Sequence, residues 1–331
     1  MKIAVIGAGG IGSVVAAYLF KAGVDVTLVG RQDQIQVVSD QGLRLDGVRG
    51  EDIFQVPIIH QLDQCFDLVI FTVKTQDLEG AYQQNARYLE QGLILTTQNG
   101  VQADNILSVH FDRQKMFSSI VMFGATYIEP GKVTFNFEGD WIIGKPFTPN
   151  EPKIFEIEKI LNQAFKVVVV NDIAGMKWLK LFVNFNNCIP AVIGKSMQET
   201  FGDHDLCRLS IMLLKEGVDI VQQARIEMVS LPHLPVDRVC GLAQMPMVQA
   251  AGIINKTLTT LSEEPLYGSI LQSIFRKKPS EIDFINGEVI QLGHHIHQKA
   301  LLNSRIVDMV HRVEQTGQFF EIDEVKNIFE L

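Results

Sequence analysis

The sequence predicts an α/β first half and an all-helical second half, on three observations. A short apolar run after Lys2, without charge, ends in Gly7-Ala8-Gly9-Gly10-Ile11-Gly12 and is followed by an Ala-, Val- and Leu-rich stretch over residues 13–22. Further apolar runs at residues 25–29, 67–73, 92–97 and 166–170 are separated by helical patterns and polar turns, as buried parallel strands are. Beyond residue 171 strand-like alternation stops and helical patterns follow one another to the end. With 331 residues, 47% hydrophobic and 20% charged, the chain has material for two cores.

Taken in order, the first strand, glycine turn and helix fit G-x-G-x-x-G in the context that makes the motif a dinucleotide site. Residues 1–171 are therefore expected to form a Rossmann-type dinucleotide-binding domain. Gly7 permits the tight turn, Gly9 leaves room for a pyrophosphate, and Gly12 lets helix and strand pack closely. Ala8, Gly10 and Ile11 complete the turn, whose free N–H groups suit an anion. The second strand ends in Gly30-Arg31-Gln32, without the acid that would hold a ribose 2′-hydroxyl. Arg31 can instead pair with a 2′-phosphate, which favours NADP(H) over NAD.

Residues 42–56 read as a hairpin. The strand at 67–73 runs into Lys74 and then a helix, placing Lys74 on the ligand side of an open sheet. The strand at 92–97 ends in Gln98-Asn99-Gly100, where Asn99 is either a turn residue or a ligand contact. Residues 116–144 alternate strand-like runs around the turn Glu129-Pro130-Gly131-Lys132, which predicts an antiparallel meander completing the sheet. A loop over 146–152, a helix over 154–165 and a last strand close the domain. Helices are expected at 178–185, 206–225, 246–261, 269–274, 282–297 and 301–314 of the second domain, residues 172–331.

A net charge of −9 argues against a nucleic-acid partner. Cys65, Cys188, Cys207 and Cys240 form no C-x-x-C pair and read as reduced thiols. The first apolar run is already a strand, which leaves no signal peptide, and no run reaches the roughly 20 residues of a membrane span. The expectation is a soluble, cytoplasmic protein with a small-molecule substrate and no membrane partner. The oligomeric state stays open, a homodimer included.

Chemistry concentrates in the second half. Lys180 and Asn184 are four apart and share a helix face. Lys180, between apolar neighbours, either snorkels or is partly desolvated, and desolvation would make it a better acid. Ser269 opens a short helical pattern, and Ser280 can cap a following helix with Glu281 and Asp283 in its first turn. His294, His295 and His297 have no acid or thiol at ligand spacing and read as a helix end, so no metal is expected.

Together these residues resemble the ketopantoate reductase (2-dehydropantoate 2-reductase) family, NADPH enzymes of pantothenate and coenzyme A biosynthesis that join a Rossmann domain to a helical one. The anchors are the GAGGIG turn, Gly30-Arg31, Val73-Lys74-Thr75, Gln98-Asn99-Gly100, Lys180-Leu-Phe-Val-Asn184, Ser269-Ile-Leu-Gln and Glu281-Ile-Asp-Phe-Ile-Asn-Gly. The resemblance implies that Arg31 holds the 2′-phosphate, that Lys74 lies near the cofactor and that Asn99 aligns nicotinamide and substrate. It further implies Lys180 as general acid, Asn184 and Glu281 on the substrate, Glu281 also on the lysine, and Ser269 on the substrate carboxylate. The implied activity is NADPH-dependent reduction of ketopantoate to pantoate. Two positions depart on the substrate side. Cys188 stands where the family often has a second asparagine, which leaves Asn186 or Asn187 to serve, and Leu266 stands where asparagine is common. A relative reducing another branched 2-keto acid, or a non-catalytic NADP(H)-binding protein, are the alternative readings.

Overall fold

The computed structural model describes residues 1–262 and 264–331. The chain separates into two compact units, Met1–Ala174 and Gly175–Leu331. In the first, the strands are β1 (Ile3–Ile6), β2 (Val26–Val29), β3 (Leu43–Gly47), β4 (Asp52–Phe54), β5 (Ile58–Ile59), β6 (Leu68–Phe71), β7 (Leu93–Thr96), β8 (Met116–Val121), β9 (Gly124–Glu129), β10 (Lys132–Phe137), β11 (Trp141–Gly144) and β12 (Val167–Val169). Its helices are α1 (Gly10–Lys21), α2 (Gln32–Gln41), α3 (Leu78–Asn85), α4 (Ala103–Ser108) and α5 (Pro152–Leu161).

Eight strands form one sheet in the order β12-β11-β8-β7-β6-β1-β2-β5. From β5 to β8 all neighbours are parallel, and β11 returns antiparallel to β8. Alternate residues of β1 serve two cores: Ile3 and Val5 pack into one apolar cluster, Ala4 and Ile6 into the other. That two-sided burial is why the run carries no polar residue. Chain order reverses between β1 and β6, so their carboxyl ends bound the crevice where open α/β sheets take ligands.

The expected meander is not formed. β8 and β11 stay in the large sheet, while the β9–β10 hairpin joins β3 and β4 in a separate sheet ordered β4-β3-β10-β9. The reason lies in α1, where every residue from Gly12 to Leu19 is buried. A helix apolar all round needs cover on both sides. The large sheet covers one side; Val133 and Phe135 of β10 cover the other, with the Phe135 ring 5.7 Å from Tyr18.

The second unit holds α6 (Ile173–Asn184), whose first two residues belong to the first unit, then α7 (Cys188–Ile193), α8 (Met197–Phe201), α9 (His204–Gln223), α10 (Val236–Gln244), α11 (Met247–Thr259), α12 (Ser269–Phe275), α13 (Asn286–His295), α14 (Leu301–Thr316) and α15 (Ile322–Phe329). α9 buries a stripe that includes Leu206, Leu209, Leu213, Gly217 and Ile220, and Asp203 caps it by accepting from Asp205 N at 2.9 Å and Leu206 N at 3.2 Å. Four helices escape the sequence patterns. α7 is buried on all sides, so it shows no amphipathic period, and α8, at five residues, is too short for one. The helix expected over 282–297 is broken: a 3₁₀ turn at Ile282–Phe284 ends at Ile285 (φ −115°, ψ −88°) before α13 begins. Among the described residues no helix is long and apolar enough to cross a membrane.

Candidate active site

In the first unit the glycine turn meets the ends of β1 and β6. Gly7 has φ +119°, and a Cβ there would lie 2.8 Å from Val73 N, so glycine is required twice over. A Cβ at Gly12 would overlap the Gly7 carbonyl and the Thr72 hydroxyl, which sits 2.8 Å from Gly7 O and 3.0 Å from Ile6 O. Gly9 differs: its φ of −81° is ordinary, and a Cβ would meet no protein atom within 4 Å. Nothing in the protein demands glycine at Gly9, whereas a pyrophosphate laid against the turn does. α1 has no side-chain cap and no acid in its first turn, so its N–H groups and dipole suit an anion. These features fit a dinucleotide.

Arg31 precedes α2 in extended conformation and is exposed, with Asp33 at a loose 3.9 Å. Gln34 ties it to the turn: Gln34 Oε1 accepts from Arg31 N at 3.1 Å and Nε2 donates to Ala8 O. Lys74 follows β6, half-buried, at the start of the 3₁₀ turn Thr75–Asp77. Asn99 follows β7, half-buried, its carbonyl 3.4 Å from the Thr75 hydroxyl. The structure thus brings the glycine turn, Lys74 and Asn99 to one end of the sheet. Gln34, Thr72 and Gln98 hold these loops, a role that sequence does not reveal because buried side-chain-to-backbone bonds leave no periodic signal.

In the second unit, Lys180 and Asn184 share a face of α6. Lys180 lies between buried Leu179, Leu181 and Phe182. It is half-buried as a residue, but acidity follows the surroundings of the ammonium, and burial lowers its pKa to about 8. Desolvation therefore prevails over snorkelling. Asn184 is buried, and Gly217 of α9 allows close approach to Phe182 and Phe185, each 2.8 Å from where its Cβ would be.

After Asn184 the helix tightens into the 3₁₀ turn Phe185–Asn187 and resumes as α7. Asn186 Oδ1 accepts from Ser210 Oγ of α9 at 2.5 Å, which ties this half-buried side chain to α9. The Asn187 amide lies against Gly268, where a Cβ would overlap it, and Gly268 precedes Ser269. Cys188 is fully buried, donates to Phe185 O at 3.0 Å and has its pKa pushed up to about 12 by burial. It is a core thiol in this structure. The Leu266 backbone is held to α8: its N donates to Gln198 Oε1 at 3.0 Å and its O accepts from Met197 N at 2.8 Å. Gln198 Nε2 donates to Ser262 O and Glu264 O at 2.9 and 2.8 Å, so α8 fixes the approach to exposed Ser269 at the start of α12.

Glu281 is half-buried just before the 3₁₀ turn, not inside the first turn of a long helix. Ser280 N donates to Glu314 Oε1 of α14 at 2.7 Å, and Asn286 Nδ2 donates to Asn303 Oδ1 at 3.0 Å, so α14 tethers the segment at both ends. Asn303 in turn donates from Nδ2 to Glu216 Oε2 at 2.9 Å. Among the described residues no group of three or more His, Cys, Asp or Glu side chains is placed to hold a metal ion.

Two family models match the chain: "Ketopantoate reductase PanE/ApbA" over residues 3–146 and its C-terminal counterpart over residues 172–314. The 2-dehydropantoate 2-reductase of Pyrococcus horikoshii is 29% identical over 320 residues, covering 96% of this chain and 99% of its own. That of Archaeoglobus fulgidus is 25% identical over 315 residues, covering 95% and 98%. The fold is similar to a PanE/ApbA family ketopantoate reductase from Ralstonia eutropha, with TM-score 0.79, 23% identity and 95% and 99% coverage. It is equally similar to a D-mandelate dehydrogenase solved with NADH and anilino(oxo)acetate, with TM-score 0.81, 19% identity and 96% and 99% coverage.

Proposed function

The chain belongs to the ketopantoate reductase family, an oxidoreductase family, and from that membership we propose that it reduces 2-dehydropantoate to pantoate with NADPH, Lys180 serving as general acid. The observation that carries the reading is the desolvated ammonium of Lys180 on the same helix face as Asn184. NADPH supplies the hydride that C2 of the keto acid accepts. The glycine turn from Gly7 to Gly12 holds its pyrophosphate, Arg31 its 2′-phosphate, and Lys74 and Asn99 the nicotinamide end. Lys180 gives its proton to the C2 oxygen as negative charge develops there. With a pKa of about 8 it is roughly ten parts protonated to one at pH 7, and a stronger acid than an ordinary lysine. Ser269 takes the substrate carboxylate, and Asn184 and Glu281 orient its hydroxyl and keto groups.

A second reading keeps the reaction and changes the substrate. Leu266 is aliphatic where the family commonly has asparagine, which favours a branched 2-keto acid with fewer polar groups. Steady-state NADPH and NADH oxidation across ketopantoate and related 2-keto acids separates the two. Ketopantoate with NADPH is expected to give the highest kcat/KM, and Arg31→Ala to erase the preference over NADH. Lys180→Ala is expected to lower kcat by about 10²- to 10⁴-fold while NADPH still binds. Near-normal kcat in that variant would remove Lys180 from the mechanism.

A further inference from the structure

Resting on the reading of Lys74 and Asn99 as cofactor contacts, we propose that Gln98 is a positioning residue of the reaction, locking the loop of Lys74 to the loop of Asn99 and so fixing the nicotinamide. The last register pair of β6 and β7 is Phe71 with Thr96. Beyond it the backbones part, as strands do at a ligand crevice, and side chains continue the ladder. Thr97 Oγ1 donates to Phe71 O at 2.8 Å. Gln98 Nε2 donates to both Phe71 O and Val73 O at 2.8 Å, and Gln98 Oε1 accepts from Thr97 N at 3.1 Å. Gln98 is only 6% exposed, so these bonds are shielded from water.

Val73 O belongs to the peptide bond that leads into Lys74, and Gln98 is the residue before Asn99. One amide thus ties the loop that carries Asn99, through Thr97 N, to the peptide bond that leads into Lys74. The Thr75 hydroxyl reaches back to Asn99 O at 3.4 Å, a weaker tie in the other direction. Two carbonyls and one N–H call for two donors and one acceptor on a single neutral side chain, which glutamine supplies. A shorter or apolar residue leaves buried carbonyls unpaired and the loops free to part.

The glycine turn and Arg31 lie at the other end of the dinucleotide, so loss of the grip affects alignment more than binding. In the full-length Gln98→Ala protein, kcat is expected to fall about 10- to 100-fold, the scale of an ångström's misplacement at a reacting centre, with KM for NADPH within about threefold. The fluorescence of bound NADPH is expected to change with its Kd nearly unchanged. Thr97→Val, which removes one bond of the joint, is expected to move both readouts in the same direction by less, and stands in should the alanine variant not fold. An unaltered kcat and bound-nucleotide spectrum overturn the assignment, as does a parallel loss of kcat and NADPH affinity. A wild-type enzyme that binds NADPH and turns over no 2-keto acid overturns the function proposed above, while the bound-nucleotide spectrum still decides the role of Gln98.

Discussion

Lys180 shows how far a residue's neighbours in sequence can be read. The run Trp178-Leu-Lys-Leu-Phe182 allows either snorkelling or burial, because an α-helix in isolation leaves the ammonium a path to water. Burial in the folded protein desolvates the ammonium and lowers its pKa to about 8. If Lys180 must be protonated to act, kcat/KM falls as pH rises through about 8, and a profile flat to pH 9.5 would contradict the role. The same shift has a stability consequence. The folded pKa lies below the unfolded value of 10.5, so between about 8 and 10.5 the unfolded chain binds more protons and stability rises with pH. Below 8 the full penalty of a buried cation applies. Lys180→Met is therefore expected to unfold at a higher temperature than wild type at pH 7, with the gap closing toward pH 10.5 in melts at several pH values. Cys188 and the asparagines before it were ambiguous for a related reason: a single 3₁₀ turn changes which side chain faces where.

At the scale of the element, the strand, glycine turn and helix were legible because each has a local physical cause: an uncharged run, small residues at fixed offsets, good helix formers. What sequence could not separate is glycine needed by the fold from glycine needed by a ligand. Gly12→Ala drives a Cβ into the Gly7 carbonyl and is expected to cost about 1–3 kcal/mol of stability. Gly9→Ala meets no protein atom at an ordinary φ, so stability is expected to change by less than about 1 kcal/mol. NADPH affinity, however, is expected to weaken on the order of tenfold, a loss of about 1.4 kcal/mol. Chemical denaturation and NADPH titration of the two variants check the contrast; an alanine at Gly9 without effect on NADPH would leave that glycine unexplained. The second sheet depends on long-range pairing, β10 with β3, that no local pattern encodes. A β-run at residues 124–137 carries the same alternation whether it extends the large sheet or folds over α1.

For the whole molecule, the division of labour runs along the chain, with dinucleotide-binding features before Ala174 and the candidate acid and substrate residues after it. Hydrogen exchange offers a direct check. NADPH is expected to slow exchange at the start of α1 and at residues 72–75 and 97–100, while a ketopantoate analogue added to the NADP⁺ complex slows exchange at 180–187 and 266–284. Protection by the nucleotide confined to the helical unit would overturn the assignment of the glycine turn.

The sequence by itself determined the two-part architecture, the glycine turn, the missing acid after β2 and the spaced residues that carry the family resemblance, because each is a local pattern of residue type and offset. Only the tertiary structure decided the separate second sheet, the acidity of Lys180, the burial of Cys188 and the grip of Gln98. Those depend on groups far apart in the chain meeting in space, and pairwise burial and hydrogen bonding leave no periodic trace in the order of residues.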